Sequence, residues 1–404
     1  MLVDVSFSPA AFAADIETLL NLDRSRACLP NANRQAHAVH SARHLDSHAH
    51  SVAQSLRRRG REVWPLRRRD ADLGQVVSTH RELPDAQTES KLWRAGEPIF
   101  LPSIIGDSTT RYAKEIRSGL QMFDRLRAGG EFLAEIEARL QDDQNFRYAG
   151  STVDQDDPRE LERLFVDAEI DGQVIAEDLW AKLAWITAED ETDASLRIRF
   201  SNGLDQLEEW MLTSDLTASW VDQFALRTFP ECEAILMCAP LRQRLDRLIA
   251  RPHRLSERII YNNAPNGGAI FHHDAEPSQL GVVYTQLEGR TAWFSLGKRR
   301  LAKLLVRFGM RNEHRAMRAL DQASDANMLE ILNRDANFAA LVAAHGGLFL
   351  LKAGDSILLP TAGFDDTAWH SVLAVGEAPS LSHSYGIFGR ASDYELAGDP
   401  WLLR

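Results

Sequence analysis

From Ile259 onward the chain is written in short apolar runs, and this texture most restricts what it can fold into. Ile259-Ile-Tyr261, Ala269-Ile-Phe271, Leu280–Tyr284 and Ala292-Trp-Phe294 follow one another, separated by Asn, Pro and Gly turns. Runs this short, bounded by turn formers, predict antiparallel strands. A helical stretch at about 299–345 interrupts them. Strand texture then resumes at Leu348–Leu351, Ser356–Leu359, Ser371–Val375 and Leu381–Phe388. The expected C-terminal unit, 251–404, is a β-sandwich or barrel carrying a helical insert.

Residues 1–250 read differently. Leu120, Phe123 and Leu126, then Phe132, Ile136 and Leu140, recur at helical period. Pro158, after the acidic turn from Asp154, suits the first position of a further helix. Residues 204–250 return to helix, with Trp210, Leu212 and Trp220 as core. Strands are expected only at Pro98–Leu101 and at Leu196–Phe200, where polar and apolar residues alternate. The fold class is therefore α+β: a mainly helical region, 1–250, wrapped around the C-terminal strands.

Composition narrows the function classes. With 44% hydrophobic and 26% charged residues, the 404-residue chain has ordinary globular proportions. Its 46 basic and 58 acidic side chains leave a net charge of −12, which argues against a general nucleic-acid or anionic-membrane binder. No apolar stretch approaches the ~18 residues of a membrane span. Cys28, Cys232 and Cys238 cannot build a disulfide framework, and a cytoplasmic setting suits them. The first residues lack a basic leader segment and are expected to form a helix of the mature protein.

The chemistry concentrates at Phe271-His272-His273-Asp274, answered far downstream by a lone His370. On a strand, His272 and Asp274 share one face while His273 points away. A second imidazole from a distant strand completes two His and one carboxylate, a set that leaves one side of an iron open. Other histidines, His37, His40, His44, His48 and His50, recur at helical spacing but read as a solvated helix face. Arg57–Arg59 and Arg67–Arg69 are expected at the surface, with an anion clamp as the alternative. There is no Gly-rich phosphate loop, nucleophile elbow or thiolate cluster.

In its turns, too, segment 259–388 resembles the jumonji-C or cupin-like family of Fe(II) and 2-oxoglutarate dependent oxygenases. Asn266-Gly-Gly268 precedes the first ligands, the hairpin Gln286–Trp293 follows them, and the Gly354-Asp355 turn leads through Pro360 towards His370. The resemblance covers about a third of the chain. It implies a double-stranded β-helix (jelly roll), with His272, Asp274 and His370 as iron ligands. It also implies 2-oxoglutarate as cosubstrate, O2 as oxidant and hydroxylation of a small molecule, amino acid or peptide. The helices outside such a barrel often mediate homodimers.

The chain departs from the family pattern in two places. The slot that commonly holds a cation for the far carboxylate of 2-oxoglutarate falls on Thr291, which donates one neutral hydrogen bond. Arg290 should face the other way, Lys298 lies beyond, and His383, Tyr385 and Arg390 are substitutes on the last strand. The loop from Pro360 to His370 is also longer than usual. Tyr261, Asn262 and Asn263 either reach a chelating keto-acid or form an Asn-rich turn. Glu276 is either a surface residue or an orienting acceptor. Asp365 and Asp366 are expected in water, and Trp293 and Trp369 in barrel packing. Two other functions stay open: an iron dioxygenase whose substrate chelates the metal without 2-oxoglutarate, and a non-catalytic cupin-like sensor.

Overall fold

Apolar side chains on both faces of the same strands demand cover on both sides, and the computed structural model supplies it. The structure describes residues 54–389, apart from 69–70, 78–80, 142, 189, 191, 204–214, 275–278, 323–325, 362 and 364. The expectations for Cys28, for the His37–His50 run, and for Arg69, Trp210, Leu212, Glu276 and Arg390 lie outside the described residues.

The chain opens with a hairpin, β1 (Val63–Arg68) and β2 (Ala71–Val77), then α1 (Ala86–Arg94) and β3 (Ile99–Leu101). Helices α2 (Ser108–Arg111), α3 (Ala113–Arg127) and α4 (Phe132–Leu140) lead to β4 (Phe146–Thr152), β5 (Glu160–Ile170), β6 (Gln173–Trp185) and β7 (Leu196–Asn202). Helix α5 (Asp215–Thr228), a 3-10 turn (Pro230–Cys232), α6 (Glu233–Leu236) and α7 (Ala239–Ile249) precede β8 (His253–Asn263), β9 (Gln279–Glu288) and β10 (Arg290–Gly297). The insert is α8 (Lys298–Arg307), α9 (Glu313–Gln322), α10 (Ala326–Arg334) and α11 (Ala336–Ala344). Strands β11 (Leu348–Lys352), β12 (Ser356–Pro360), β13 (Ala368–Ala374) and β14 (Ser380–Gly389) close the fold.

These strands form the two facing sheets of a double-stranded β-helix. One runs β12-β9-β14-β8 within a longer sheet, and the other runs β11-β10-β13. An extended ribbon, 267–272, lies along the free edge of β13, with the Val372 amide donating to the Ala269 carbonyl at 3.0 Å and the Ala374 amide to that of Gly267 at 2.9 Å. Three apolar layers result. Val282, Tyr284, Trp293, Leu359 and Val372 fill the barrel. Val283, Leu358, Leu381 and Ile387, on the outer face, pack with Phe123, Phe224 and Phe229. Ala292, Phe294 and Leu296 meet Leu301, Leu305, Phe338 and Val342 of the insert.

The region before 250 departs from the helical expectation. Strands β4 to β7 extend the large sheet to nine strands, in the order β3-β12-β9-β14-β8-β7-β6-β5-β4. Where a helix was expected after Pro158, β5 forms instead, and Leu164, Val166 and Ala168 are buried at the strand period of two. The sheet crosses position 250 without a break, since β7 pairs with β8 from Leu196 opposite Asn262 to Arg199 opposite Ile259. No helix among the described residues is long and apolar enough to cross a membrane.

Candidate metal centre

Backbone pairing brings the three expected ligands together. His272 and His370 exchange amide-to-carbonyl hydrogen bonds at 2.9 and 2.8 Å, an isolated bridge rather than a strand. The ribbon holds its place through two glycines. A Cβ on Gly268 would stand 2.1 Å from the Val372 carbonyl oxygen, and one on Gly267 2.1 Å from Asp193 Oδ1. Asp193 Oδ2 accepts the Gly268 amide at 2.9 Å and Oδ1 accepts that of Ser195. Arg68, from β1, donates to the Ala269 carbonyl and to Ser371.

The donor atoms of His272, Asp274 and His370 all lie within 4.8 Å of one another. His272 Nε2 is 3.5 Å from Asp274 Oδ1, and His370 Nε2 is 3.6 Å from Oδ2. Cis donors around one ion at ordinary bond lengths stand about 3 Å apart, so the three fit a single divalent metal with little movement. His272 Nδ1 donates to the Ile270 carbonyl at 2.7 Å, which leaves the Nε2 lone pair free for a metal. His370 is buried, its ring stacked on Trp293 at 5.1 Å and 22°. Asp274 is more open, with about a third of its side chain exposed.

Electrostatics prepares the same donor set. Burial opposes charge on Asp274, but the imidazoles of His272 and His370 hold its carboxyl well below the usual range. Burial and the neighbouring His272 push His370 down to about 3, so it stays neutral and able to ligate. Burial also disfavours a charge on His272, yet its bond to Asp274 raises it overall. His273 faces away and packs its ring on Trp369 at 4.9 Å.

The triad opens into a cavity of about 370 Å³. Val282, Leu359, Val372 and Trp293 give it apolar walls, while Tyr261, Asn263, Tyr284 and Ser384 add polar groups. Arg159, Arg197 and Arg199 also line it, and among the described residues Asp274 is the one carboxylate in the lining. Sequence reasoning passed over these arginines. The alternation around Leu196–Phe200 marked a polar face, but nothing in it indicated that β7 would pair beside the barrel.

Other expected residues are placed elsewhere. Thr291 is fully buried; it donates to Gln286 at 2.7 Å, accepts the Trp293 indole N–H at 3.1 Å, and does not line the cavity. His383 and Tyr385 lie on the opposite face of β14 from Ser384. His383 Nδ1 is 3.4 Å from Cys232 and its Nε2 3.7 Å from Glu231, while Arg258 sits over the Tyr385 ring at 5.3 Å. Asn262 also points outward, to Arg127. Lys298 is buried and paired with Asp321 and Asp365. Arg290 covers Trp64 at 4.8 Å. Asp366, expected free in water, instead binds Arg299 at 3.0 Å.

No family model matches the chain, and no curated protein does. Some solved structures match at low identity. The chain is similar to the non-heme alpha ketoglutarate dependent epimerase SnoN from nogalamycin biosynthesis, at 11% identity over 75% of this chain and 83% of that one, with a TM-score of 0.32. It is similar to a 2OG-Fe(II) oxygenase family oxidoreductase from Burkholderia pseudomallei, at 12% identity over 78% and 96%, with a TM-score of 0.29. AviO1 from Streptomyces viridochromogenes Tue57 gives 11% identity over 80% and 99%, with a TM-score of 0.33.

Proposed function

We propose that the protein is a non-haem Fe(II) oxygenase that uses 2-oxoglutarate to oxidise a small organic substrate. The convergence of His272, Asp274 and His370 on one wall of a cavity carries this reading. Two imidazoles and one carboxylate would suit an iron ion, and the cavity they line has room for its further partners. When bound, iron with a keto-acid supplies oxygen activation and the oxidising power that a C–H bond requires.

The chain's own residues do the rest. Trp293 holds the His370 ring by stacking, and the Ile270 carbonyl fixes the His272 tautomer. Burial pushes the Tyr261 hydroxyl up to about 12, so it keeps its proton and can donate to an anionic guest at any physiological pH. Asn263 lines the same wall. Val282, Leu359 and Val372 give the substrate an apolar wall beside the triad. The cavity volume suits a small molecule, or one side chain of an amino acid or peptide.

A second reading is an iron dioxygenase whose substrate chelates the metal itself. The closed hydrogen bonding of Thr291 favours it, because the slot expected to hold the far carboxylate of 2-oxoglutarate does not reach the cavity. Anaerobic titration of Fe(II)-loaded protein with 2-oxoglutarate separates the two. A saturable visible band supports the keto-acid reading. Stoichiometric iron with no band transfers the search to substrates that chelate iron.

A further inference from the structure

We propose that Arg197 is the anion-binding group of the metal cavity, taking a carboxylate of the small organic acid bound there. The inference deepens the reading above, and only its keto-acid arm rests on that reading.

Arg197 and Arg199 are two apart on β7 and both line the cavity, as strand alternation requires. Arg197 stands opposite Tyr261 in the β7–β8 register. Arg197 and Tyr261 line the same cavity as His272 and Asp274. Among the described residues no carboxylate pairs with its guanidinium.

The cations around it are otherwise engaged. Arg159 bonds Asp157 at 3.0 Å. Arg199 lies over the Trp180 ring at 5.8 Å. Lys182, across from Arg199, is 3.3 Å from Glu160. Arg197 is thus a half-buried cation with cationic neighbours, and burial pulls its pKa down. A bound carboxylate would relieve that cost by a bidentate pair, with Tyr261 placed to donate a further hydrogen bond. A basic cavity in a chain of net charge −12 also concentrates anions locally. The carboxylate has two possible sources, the far end of a keto-acid or the substrate.

Calorimetric titration of the full chain decides between them, with Mn(II) in place of iron. The probes are 2-oxoglutarate and 2-oxobutyrate, which share the chelating end and differ in the far carboxylate. Glutarate is titrated into metal-free protein, and again into protein loaded with Mn(II) and 2-oxoglutarate. Arg197→Gln is expected to weaken at least one dicarboxylate about 10- to 100-fold, with partial recovery in Arg197→Lys. Loss for 2-oxoglutarate but not 2-oxobutyrate assigns the site to the keto-acid. Loss only for glutarate on the loaded protein assigns it to the substrate.

Equal affinities in wild type and Arg197→Gln for all three probes would overturn the proposal. So would a wild-type protein that binds none of them. Should Arg197→Gln fail to fold, Arg197→Lys with unchanged affinities and unchanged preference for 2-oxoglutarate over 2-oxobutyrate would do the same. If the wild type binds glutarate through Arg197 but no keto-acid on the metal, the 2-oxoglutarate reading fails and the anion site stands.

Discussion

Asp193 accepts the Gly268 amide at 2.9 Å, tying the segment before β7 to the ribbon that carries His272 and leads to Asp274. Its other oxygen accepts the Ser195 amide, and the Ser195 hydroxyl in turn accepts that of Ala264 at 2.9 Å. The region before position 250 therefore helps set where His272 and Asp274 stand.

Removing that clamp should cost both stability and metal affinity. Asp193→Ala leaves two buried amide donors unsatisfied, at about 1–3 kcal/mol each. Urea denaturation should register that loss, and metal titration a weakening of about 10- to 100-fold, as for an orienting partner. Unchanged metal affinity despite lower stability would mean the ribbon holds its course without Asp193.

The ligands themselves should be distinguishable from their neighbour. His272→Ala, Asp274→Ala and His370→Ala are each expected to reduce Fe(II) or Mn(II) affinity by more than ~100-fold, beyond the loss of an orienting group. His273→Ala should retain metal, because its ring packs on Trp369. Metal content after dialysis reads this directly. Equal losses in all four variants would overturn the assignment.

Tyr261→Phe and Thr291→Val should part company. Tyr261 lines the cavity, so the first should weaken 2-oxoglutarate binding about tenfold with little change in folding. Thr291 is closed into bonds with Gln286 and Trp293, so the second should destabilise the fold by about 1–3 kcal/mol and leave keto-acid affinity unchanged. A selective affinity loss in Thr291→Val would restore Thr291 to the cosubstrate site.

Stability should fall as pH rises through the mildly alkaline range. Burial opposes the charge on His383, but Cys232 and Glu231 raise its pKa from 6.5 to about 9. A group raised on folding contributes fully below its unfolded pKa, and the contribution disappears as pH climbs through the folded one. The window is therefore roughly pH 6.5 to 9. Denaturation midpoints across it should decline in wild type and flatten in His383→Gln. A wild-type profile flat across this window would refute the charged state of His383.

The sequence by itself determined most strands of the barrel and the place of the insert, though Ala269–Phe271 forms an extended ribbon and not a strand. Apolar runs bounded by Asn, Pro and Gly have one local solution, and Leu348–Lys352, Ser356–Pro360 and Ser380–Gly389 form within a residue or two of their expected limits. It also singled out His272, Asp274 and His370, because the hairpin, the Gly354-Asp355 turn and the distal His follow the HxD in order. The strands before 250 were less legible. In β5 and β6 charged residues interrupt the alternation, and Pro158 suits a helix start as well as the approach to a strand.

Only the tertiary structure decided which face of each strand lines the cavity. A one-residue change of phase moves a side chain from barrel to outer core, which is why Ser384 lines the cavity while His383 and Tyr385 are sealed behind the sheet. It likewise brought Arg197 beside Tyr261 by pairing β7 with β8, two strands separated in the chain by the helices of 215–249. Such pairing depends on long-range contacts that no local pattern encodes. The three candidate ligands could thus be named from the chain, while the cations lining their cavity came from the sheet.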